Sequence, residues 1–267
     1  MPTITIRECP KVYILETHRS KTPETTLKFV EDMKNALGMT DLHDATDVER
    51  LRIPVFLCNR TRPDRSETSH TGKGVSAIQA RVSLTMESIE RYSSEYRDEY
   101  ARTLVKGAYN RLQHRFNVLD PLSLIPSSRS DYDHNREIFW VWGTDLVDAE
   151  DILVPACAVY HPFHLDDTFL METHTNGIAA GNTLEEAIVH GMAEVIERDA
   201  WSIAQYNRTF ADAQSVEDTP DNAFIVDIIR RYEQADIEIV AKDITSDIGV
   251  PVVAAFSRDL HHEGLMP

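Results

Sequence analysis

The chain has 267 residues, 42% of them hydrophobic, which is enough to bury a core and excludes an intrinsically disordered protein. Its formal net charge of −17 argues against binding of nucleic acid on a basic surface. No apolar run approaches the roughly 20 residues of a membrane span, and no signal peptide is recognisable. The three cysteines form no C-x-x-C pair, as in proteins of reducing compartments. We therefore predict a cytoplasmic protein that binds neither nucleic acid nor membrane.

In chain order, the spacing of apolar residues predicts helices and strands that follow each other closely. Helices are expected at 22–37, 75–105, 183–205 and 225–235. Strands are expected at 53–61, 138–146, 151–163, 237–245 and 250–259, with a loop at 115–135. Because no linker or low-complexity segment divides the sequence, these elements predict one α+β domain over 1–267.

Two of the predicted helices are related by an internal repeat. GKGVSAIQARVSLTMESIERY (72–92) and GNTLEEAIVHGMAEVIERDA (181–200) both contain E-x-x-E-R. In each, a glycine, Gly74 or Gly181, stands thirteen residues before the first glutamate of that motif. A duplicated loop–helix unit is the economical explanation, and it predicts one site formed from two halves.

Each of the two helices is expected to have an acidic face. At about 100° per residue, one face collects the polar residues of the first helix, Ser83, Glu87, Glu90 and Arg91. The second helix begins at Asn182, and its corresponding face carries Glu186, Glu194, Glu197 and Arg198. The opposite faces are expected to be buried in the core through Val75, Ile78, Val82, Met86 and Ile89, and through Leu184, Ile188, Met192, Val195 and Ile196.

The acidic faces predict a site for a nucleotide with Mg²⁺. Like charges at i,i+3 or i,i+4 cost a helix only about 0.2–0.5 kcal/mol, so a solvated face is the alternative for either helix alone. Clustered carboxylates become favourable around Mg²⁺, which binds a few carboxylates together with phosphate oxygens. Arginines beside them would hold the phosphates. The segment TGKGVS is not a Walker P-loop, because Gly74 follows Lys73 where that motif requires Ser or Thr.

These motifs resemble those of the YcaO family. The resemblance rests on GKG followed by S-x-x-x-E-x-x-E-R, on T-N-G-x-x-A-G-N-T-x-x-E-A and on E-x-x-E-R-D, with HRSKTPETTL (18–27) similar to the family's N-terminal segment. It implies a YcaO-like fold of pseudo-duplicated loop–helix units packed on mixed or antiparallel sheets. The sequence ends without the third motif-bearing helix usual in the family, so the resemblance implies a domain incomplete at its C-terminus.

The resemblance also implies the ligands of the site. ATP and Mg²⁺ are the expected cofactors. The residues expected to bind the nucleotide are Arg19, Thr26, Ser83, Glu90, Asn182, Glu186 and Arg198. The residues expected to bind the metal are Glu87, Glu90, Glu194 and Glu197. No general base is assigned.

The activity implied by the resemblance is phosphorylation of the oxygen of a peptide backbone amide, after which a nucleophile attacks the carbon. We favour thioamide formation with sulfide, as on a glycine of methyl-coenzyme M reductase. The alternatives are an azoline-forming cyclodehydratase of a peptide natural-product pathway and a non-catalytic nucleotide-binding accessory factor. The expected partners are a peptide or protein substrate and a TfuA-like protein that delivers sulfur; a homodimer is left open.

Overall fold

The fold is taken from a computed structural model, which describes residues 4–14, 17–48, 50–62, 65–208 and 210–261. Within these ranges the helices are α1 (Pro23–Val30), α2 (Ala77–Ser94), α3 (Tyr109–Leu112), α4 (Leu184–Asn207) and α5 (Ala223–Gln234). The strands are β1 (Val12–Ile14), β2 (Thr17–Arg19), β3 (Met39–Asp44), β4 (Val55–Thr61), β5 (Glu67–Lys73), β6 (Val105–Ala108), β7 (Glu137–Asp145), β8 (Glu150–Pro155), β9 (Ala213–Gln214), β10 (Ile237–Asp243) and β11 (Val253–Asp259).

The strands form separate antiparallel sheets. Their orders are β3-β4-β5, β6-β7-β8 and β11-β10-β9, and β1 pairs with β2 in a hairpin. The predicted α+β class is confirmed. A short turn joins some neighbouring strands, as in β7–β8, where Asp145 pairs with Glu150, and such a turn requires antiparallel pairing.

Helix α2 packs closely on the first sheet. Ala80, Leu84 and Ser88 are fully buried against β4 and β5. A Cβ atom added at Gly72 of β5 would lie 2.1 Å from the carbonyl oxygen of Ala80, so only glycine permits this approach. The expected core stripe of this helix is therefore wrong. Ala80, Leu84 and Ser88 face the sheet, whereas Val82 and Met86 of the expected stripe line a cleft.

The predicted helix over 75–105 is also too long. Helix α2 ends at Ser94, and Glu95 has extended backbone angles. The Glu95 carboxylate is buried and accepts hydrogen bonds from the guanidinium groups of Arg60 and Arg62. Because this ion pair forms only when the chain leaves the helix, the tertiary contact overrides the local helix propensity.

Helices α2 and α4 begin in the same way. Ser76 caps α2 by accepting from the Gln79 N–H group, and Thr183 caps α4 by accepting from the Glu186 N–H group. Each pair of corresponding residues is 107 positions apart, as are the glycines of the repeat. Both loops therefore contain the same capped turn.

The glycines of the repeat explain part of that likeness. A Cβ atom at Gly74 would lie 2.6 Å from the backbone nitrogen of Ala80, and one at Gly181 would lie 2.5 Å from that of Ala187. A side chain at either position would collide with the first turn of the following helix. The repeat seen in the sequence thus has a steric reason in both halves.

The remaining cores lie on the other two sheets. Trp140 of β7 is fully buried with Ile138 and Leu153, and its indole N–H donates to the Gly107 carbonyl oxygen at 2.8 Å. Ala200 and Ala204 of α4 pack with residues around β10 and β11. Over the described residues, the structure contains no helix long and apolar enough to cross a membrane.

The predicted core stripe of α4 is wrong as well. Leu184, Met192 and Val195 are each about half exposed. Glu185, Glu186 and Gly191 are buried instead, together with the alanines in the second half of the helix. The apolar pattern misleads here because the start of α4 packs through carboxylates that the N-terminal segment of the chain covers.

Candidate functional site

A cleft of about 450 Å³ lies between α2, the start of α4 and the segment that leads into α1. Both signs of charge meet in it. Its basic residues are Arg19, Lys21, Lys73 and Arg91, and its acidic residues are Glu87, Glu90 and Glu186. Its uncharged polar residues include Thr17, Thr26, Gln79, Ser83 and Asn182. The cleft contains seven of the ten residues expected at the site from the sequence.

Glu186 is the best anchored acid of the cleft. Its carboxylate accepts from the backbone N–H and hydroxyl groups of Ser20 and from the Asn182 amide, and the Arg19 guanidinium lies 3.8 Å away. Burial raises the pKa of Glu186, but the bonds from Ser20 and the charge of Arg19 outweigh burial and lower it overall. Glu186 is therefore held as an anion in the fold.

Thr26 extends this network into α1. Its hydroxyl donates to the side-chain oxygen of Asn182 at 2.7 Å, and Asn182 lies one residue before the cap of α4. Two segments more than 150 residues apart in sequence thus meet through side-chain hydrogen bonds. The placement of Arg19, Thr26, Asn182 and Glu186 beside one another follows from this contact.

Glu90 is different, because its charge is poorly compensated. Its side chain is 13% exposed, and burial raises its pKa to about 7. The charge of Arg91 opposes this rise, whereas the charges of Glu194 and Glu87 add to it. Carboxylates of both helices therefore repel the charged form of Glu90, and a cation in the cleft would reduce this repulsion.

Arg91 has hydrogen-bonding capacity to spare. Its Nη1 atom is buried without a hydrogen-bond partner among the described residues, 3.8 Å from the Glu90 carboxylate, and its Nε atom lies 4.0 Å from Glu87. A buried guanidinium donor without a partner is costly unless an anion meets it. Arg91 thus provides a second observation that favours a charged ligand in the cleft.

The second E-x-x-E-R motif lies beside the cleft rather than in its wall. Glu194 accepts from the Gly177 N–H group at 3.1 Å and lies 3.5 Å from the Arg198 guanidinium. Glu197 and Arg198 are exposed. Of the motif's residues, Glu194 acts on the cleft through its charge on Glu90.

Some cleft residues were missed from the sequence. Lys21, Lys73, Gln79 and His190 line the cleft without having been predicted. Gln79 could have been found, because the repeat places it at the position of Glu186 in the second half. Lys73 lies inside the GKG segment, and its role there is visible only once β5 and α2 meet.

The residues of the cleft suit a nucleotide with Mg²⁺. Among the described residues, no three His, Cys, Asp or Glu side chains are close enough together to hold a metal ion alone. Mg²⁺ does not need such a cage, because it commonly binds through one or two carboxylates and the phosphates of a substrate. Glu87 and Glu90 would supply the carboxylates, and the four basic residues would meet the phosphates.

Comparison with known proteins identifies the family. The family model for the ATP- and Mg²⁺-binding YcaO cyclodehydratases matches residues 71–266. The chain belongs to the YcaO family. An uncharacterised protein of Methanothermobacter thermautotrophicus is 36% identical over 240 residues, which cover 89% of this chain and 60% of that protein. The expected cofactors, ATP and Mg²⁺, agree with the description of the family.

Further similar proteins support the fold. The YcaO protein of Methanopyrus kandleri, solved with AMPPCP and Mg²⁺, matches with a TM-score of 0.69 and 28% identity, covering 88% of this chain and 57% of that one. A heterocyclase solved with substrate and cofactor shares the fold at a TM-score of 0.82 and 22% identity, covering 96% and 37%. A Rhizobium leguminosarum protein encoded in the tfuA 3′ region is 27% identical over 244 residues, covering 89% and 56%. The chain thus spans little more than half of these curated relatives.

Proposed function

We propose that this chain uses ATP and Mg²⁺ to phosphorylate the oxygen of a peptide backbone amide, so that sulfide can convert the amide to a thioamide. Hydrosulfide would attack the activated carbon, and phosphate would leave with the former amide oxygen. The observation that carries the proposal is the cleft, in which carboxylates from a repeated motif lie beside four basic side chains and a buried Arg91 Nη1 atom has no hydrogen-bond partner among the described residues. Membership of the YcaO family supports the reaction class.

The residues of the cleft would divide the work by charge. Arg19, Lys21, Lys73 and Arg91 would bind the phosphates, and Glu87 and Glu90 would hold the metal. Bound Mg²⁺ would supply neutralisation of the phosphate charge, as in other phosphoryl transfers. Glu194 would add its negative charge to that of Glu90, and the exposed Glu197 and Arg198 would contribute from outside the cleft wall.

The network at the start of α4 would orient the nucleotide. Thr26, Asn182 and Glu186 are already fixed by hydrogen bonds to one another and to Ser20. Positioning is the main contribution a protein makes to phosphoryl transfer, because the reaction needs little other chemistry from side chains. Ser83 lies on the α2 wall, within the same cleft.

A thioamide product is favoured by one relative. The Rhizobium protein encoded in the tfuA 3′ region supports pairing of this chain with a TfuA-like protein that delivers sulfur. An azoline product is the second candidate, because the family model is described by cyclodehydratase activity. We expect the chain to act in the cytoplasm on a peptide or protein substrate.

Calorimetry tests the nucleotide part of the proposal. ATP should bind in the presence of Mg²⁺ and much more weakly in EDTA, because the carboxylates of the cleft repel bare phosphates. Equal affinity in EDTA would refute a metal-dependent site. AMP is a suitable control ligand, because it lacks the β- and γ-phosphates of ATP.

Mass spectrometry of candidate peptides tests the reaction. With ATP, sulfide and a TfuA-like protein, a thioamide would appear as replacement of one oxygen by sulfur, together with phosphate release. Loss of water from a Cys-, Ser- or Thr-containing peptide would instead favour the azoline. ATP binding without peptide-dependent phosphate release would favour an accessory factor.

A further inference from the structure

One buried histidine next to the cleft lacks a partner. His70 of β5 is 4% exposed, and its Nδ1 atom is buried without a hydrogen-bond partner among the described residues. Nδ1 lies 3.6 Å from the Oε1 atom of Glu87, one of the expected metal ligands. This separation is just beyond hydrogen-bonding distance.

The fold holds the imidazole in place. His70 pairs with Cys58 of β4 in the register of the sheet, and both side chains are buried on the sheet face that packs on α2. Cys58 in turn contacts Ser88 of α2, with 3.7 Å between sulfur and hydroxyl oxygen. His70 therefore lies under the turn of α2 that carries Glu87 and is largely shielded from water.

The other ring nitrogen indicates the tautomer. The Thr68 hydroxyl lies 3.0 Å from His70 Nε2 and 3.4 Å from the Arg60 carbonyl oxygen. Its single hydrogen can be directed at either acceptor, of which Nε2 is the nearer, or the hydroxyl can accept from Nε2–H. When the hydroxyl donates, Nε2 accepts and the ring hydrogen is on Nδ1, directed at the Glu87 carboxylate. The opposite tautomer would place a lone pair against a carboxylate oxygen. The first arrangement is favoured, because a buried lone pair facing an anion is repulsive.

We infer that His70 is a positioning residue for Glu87, whose carboxylate it orients toward the Mg²⁺ of bound ATP. The inference rests on the proposed function. A small rotation of the Glu87 side chain would close the present gap, giving the Nδ1–H group an acceptor and leaving the second carboxylate oxygen for the metal. Such outer partners of metal ligands typically change metal affinity by about 10- to 100-fold.

The alternative is that His70 merely fills space between the sheet and α2. Two substitutions separate the possibilities. His70→Phe keeps a ring but removes the donor, whereas His70→Asn retains an N–H donor near the position of Nδ1. If His70 positions Glu87, the asparagine variant should retain much of the Mg²⁺ affinity that the phenylalanine variant loses, although asparagine fills the space less well.

The test measures Mg²⁺ affinity at fixed ATP by calorimetry, and Mn²⁺ affinity by electron paramagnetic resonance, in a double-mutant cycle with Glu87→Gln. His70→Phe should weaken metal affinity roughly tenfold in the unsubstituted chain and should have no further effect in the Glu87→Gln background. His134→Phe is the control, because it removes an imidazole hydrogen-bonded to Asp120 outside the cleft.

The outcomes separate the inference from the proposed function. If His70→Phe weakens metal binding equally with and without Glu87, or leaves it unchanged, the inference is overturned while the function stands. If the unsubstituted chain shows no Mg²⁺-dependent ATP binding, the proposed function fails and the inference fails with it. Circular dichroism on each variant confirms that the fold is retained.

Discussion

Helices α2 and α4 share a sequence motif and a capped start, yet their surroundings differ. Helix α2 lies against a sheet along its length, and both glutamates of its motif line the cleft. Helix α4 contributes mainly its first turn to the cleft, and its motif residues Glu197 and Arg198 are exposed. A repeated motif therefore preserves local geometry, while the surrounding strands decide which of its side chains become part of a site.

The two helices also achieve close packing in different ways. In the first half the glycine is on the strand, where Gly72 faces Ala80 and Leu84. In the second half it is on the helix, where a Cβ atom at Gly191 would lie 2.6 Å from the Gly177 carbonyl oxygen. Equivalent helices can thus be packed through glycines on opposite partners.

The largest expected effect is at the C-terminal end of α2, where Glu95 pairs with Arg60 and Arg62. Glu95→Ala leaves the guanidinium of Arg60, which is fully buried, without its carboxylate partner. Loss of one partner of a buried pair typically costs about 3–5 kcal/mol. Urea unfolding measures this loss, and Glu99→Ala, an exposed acid of the same region, is the control. Equal stability of the two variants would contradict this expectation.

The next effect concerns the packing of α2 on β5. Gly72→Ala should cost about 1–3 kcal/mol or more, because the added methyl group overlaps backbone atoms of α2 that cannot move independently. Gly143→Ala in β7 is the matched control, since its Cβ atom would make ordinary contacts of 3.5 Å or longer. Similar urea midpoints for both variants would show that α2 can move away from the sheet at little cost.

A third prediction compares the two motifs in binding. Glu87→Gln should weaken Mg²⁺-dependent ATP binding at least tenfold, about 1.4 kcal/mol, and Glu194→Gln should weaken it less. Glu197→Gln should have the smallest effect, because its side chain is exposed outside the cleft. Calorimetry with Mg²⁺ and circular dichroism distinguish lost binding from lost folding. A larger loss of ATP affinity for Glu197→Gln than for Glu87→Gln would contradict the placement of the first motif, and not the second, in the site.

The smallest effect is on the pH dependence of stability in EDTA. Glu90 has a folded-state pKa of about 7, raised from 4.5, so the folded state holds its proton more tightly than the unfolded state does. Its contribution to stability is therefore lost as pH rises from 4.5 to about 7. As pH rises across this window, the free energy of unfolding of Glu90→Gln should increase relative to that of the unsubstituted chain by on the order of 1 kcal/mol.

Glu186 should behave in the opposite way. Its pKa is lowered in the fold, so its contribution is present above the unfolded value of 4.5 and is lost as pH falls through the folded value. Glu186→Gln should therefore be destabilised at neutral pH, and the difference should shrink in acid. If the free energy of unfolding changed with pH in the same way for the Glu90 and Glu186 variants, the raised pKa of Glu90 and the lowered pKa of Glu186 would be contradicted.

The sequence predicted the parts of the fold that depend on local pattern. The starts of α2 and α4 and the strands β4, β7, β8, β10 and β11 follow from the spacing of apolar residues and from apolar runs. The end of α2 could not be predicted, because it depends on Arg60 and Arg62 capturing Glu95. The strand β5 was missed because Glu67–Lys73 is polar, and its pairing with β4 decides its conformation.

The site was predictable to a similar extent. The motif identified the acids of α2 and the Asn182–Glu186 pair, and the structure places all of them around one cleft. It could not show that Glu194, Glu197 and Arg198 lie outside the wall, because that depends on the path of α4. Neither could it reveal His70, whose significance comes only from the contact between β5 and α2.

The hydrogen bonds from the N-terminal segment to α4 have a consequence for how the protein is made. The backbone N–H groups of Arg7 and Ser20 bind Glu185 and Glu186, partners 178 and 166 residues later in the chain. During synthesis on the ribosome, the early segment must wait until the start of α4 has emerged. Contacts of such high sequence separation form late in folding. The cleft can therefore assemble only after the chain has been synthesised as far as Glu186.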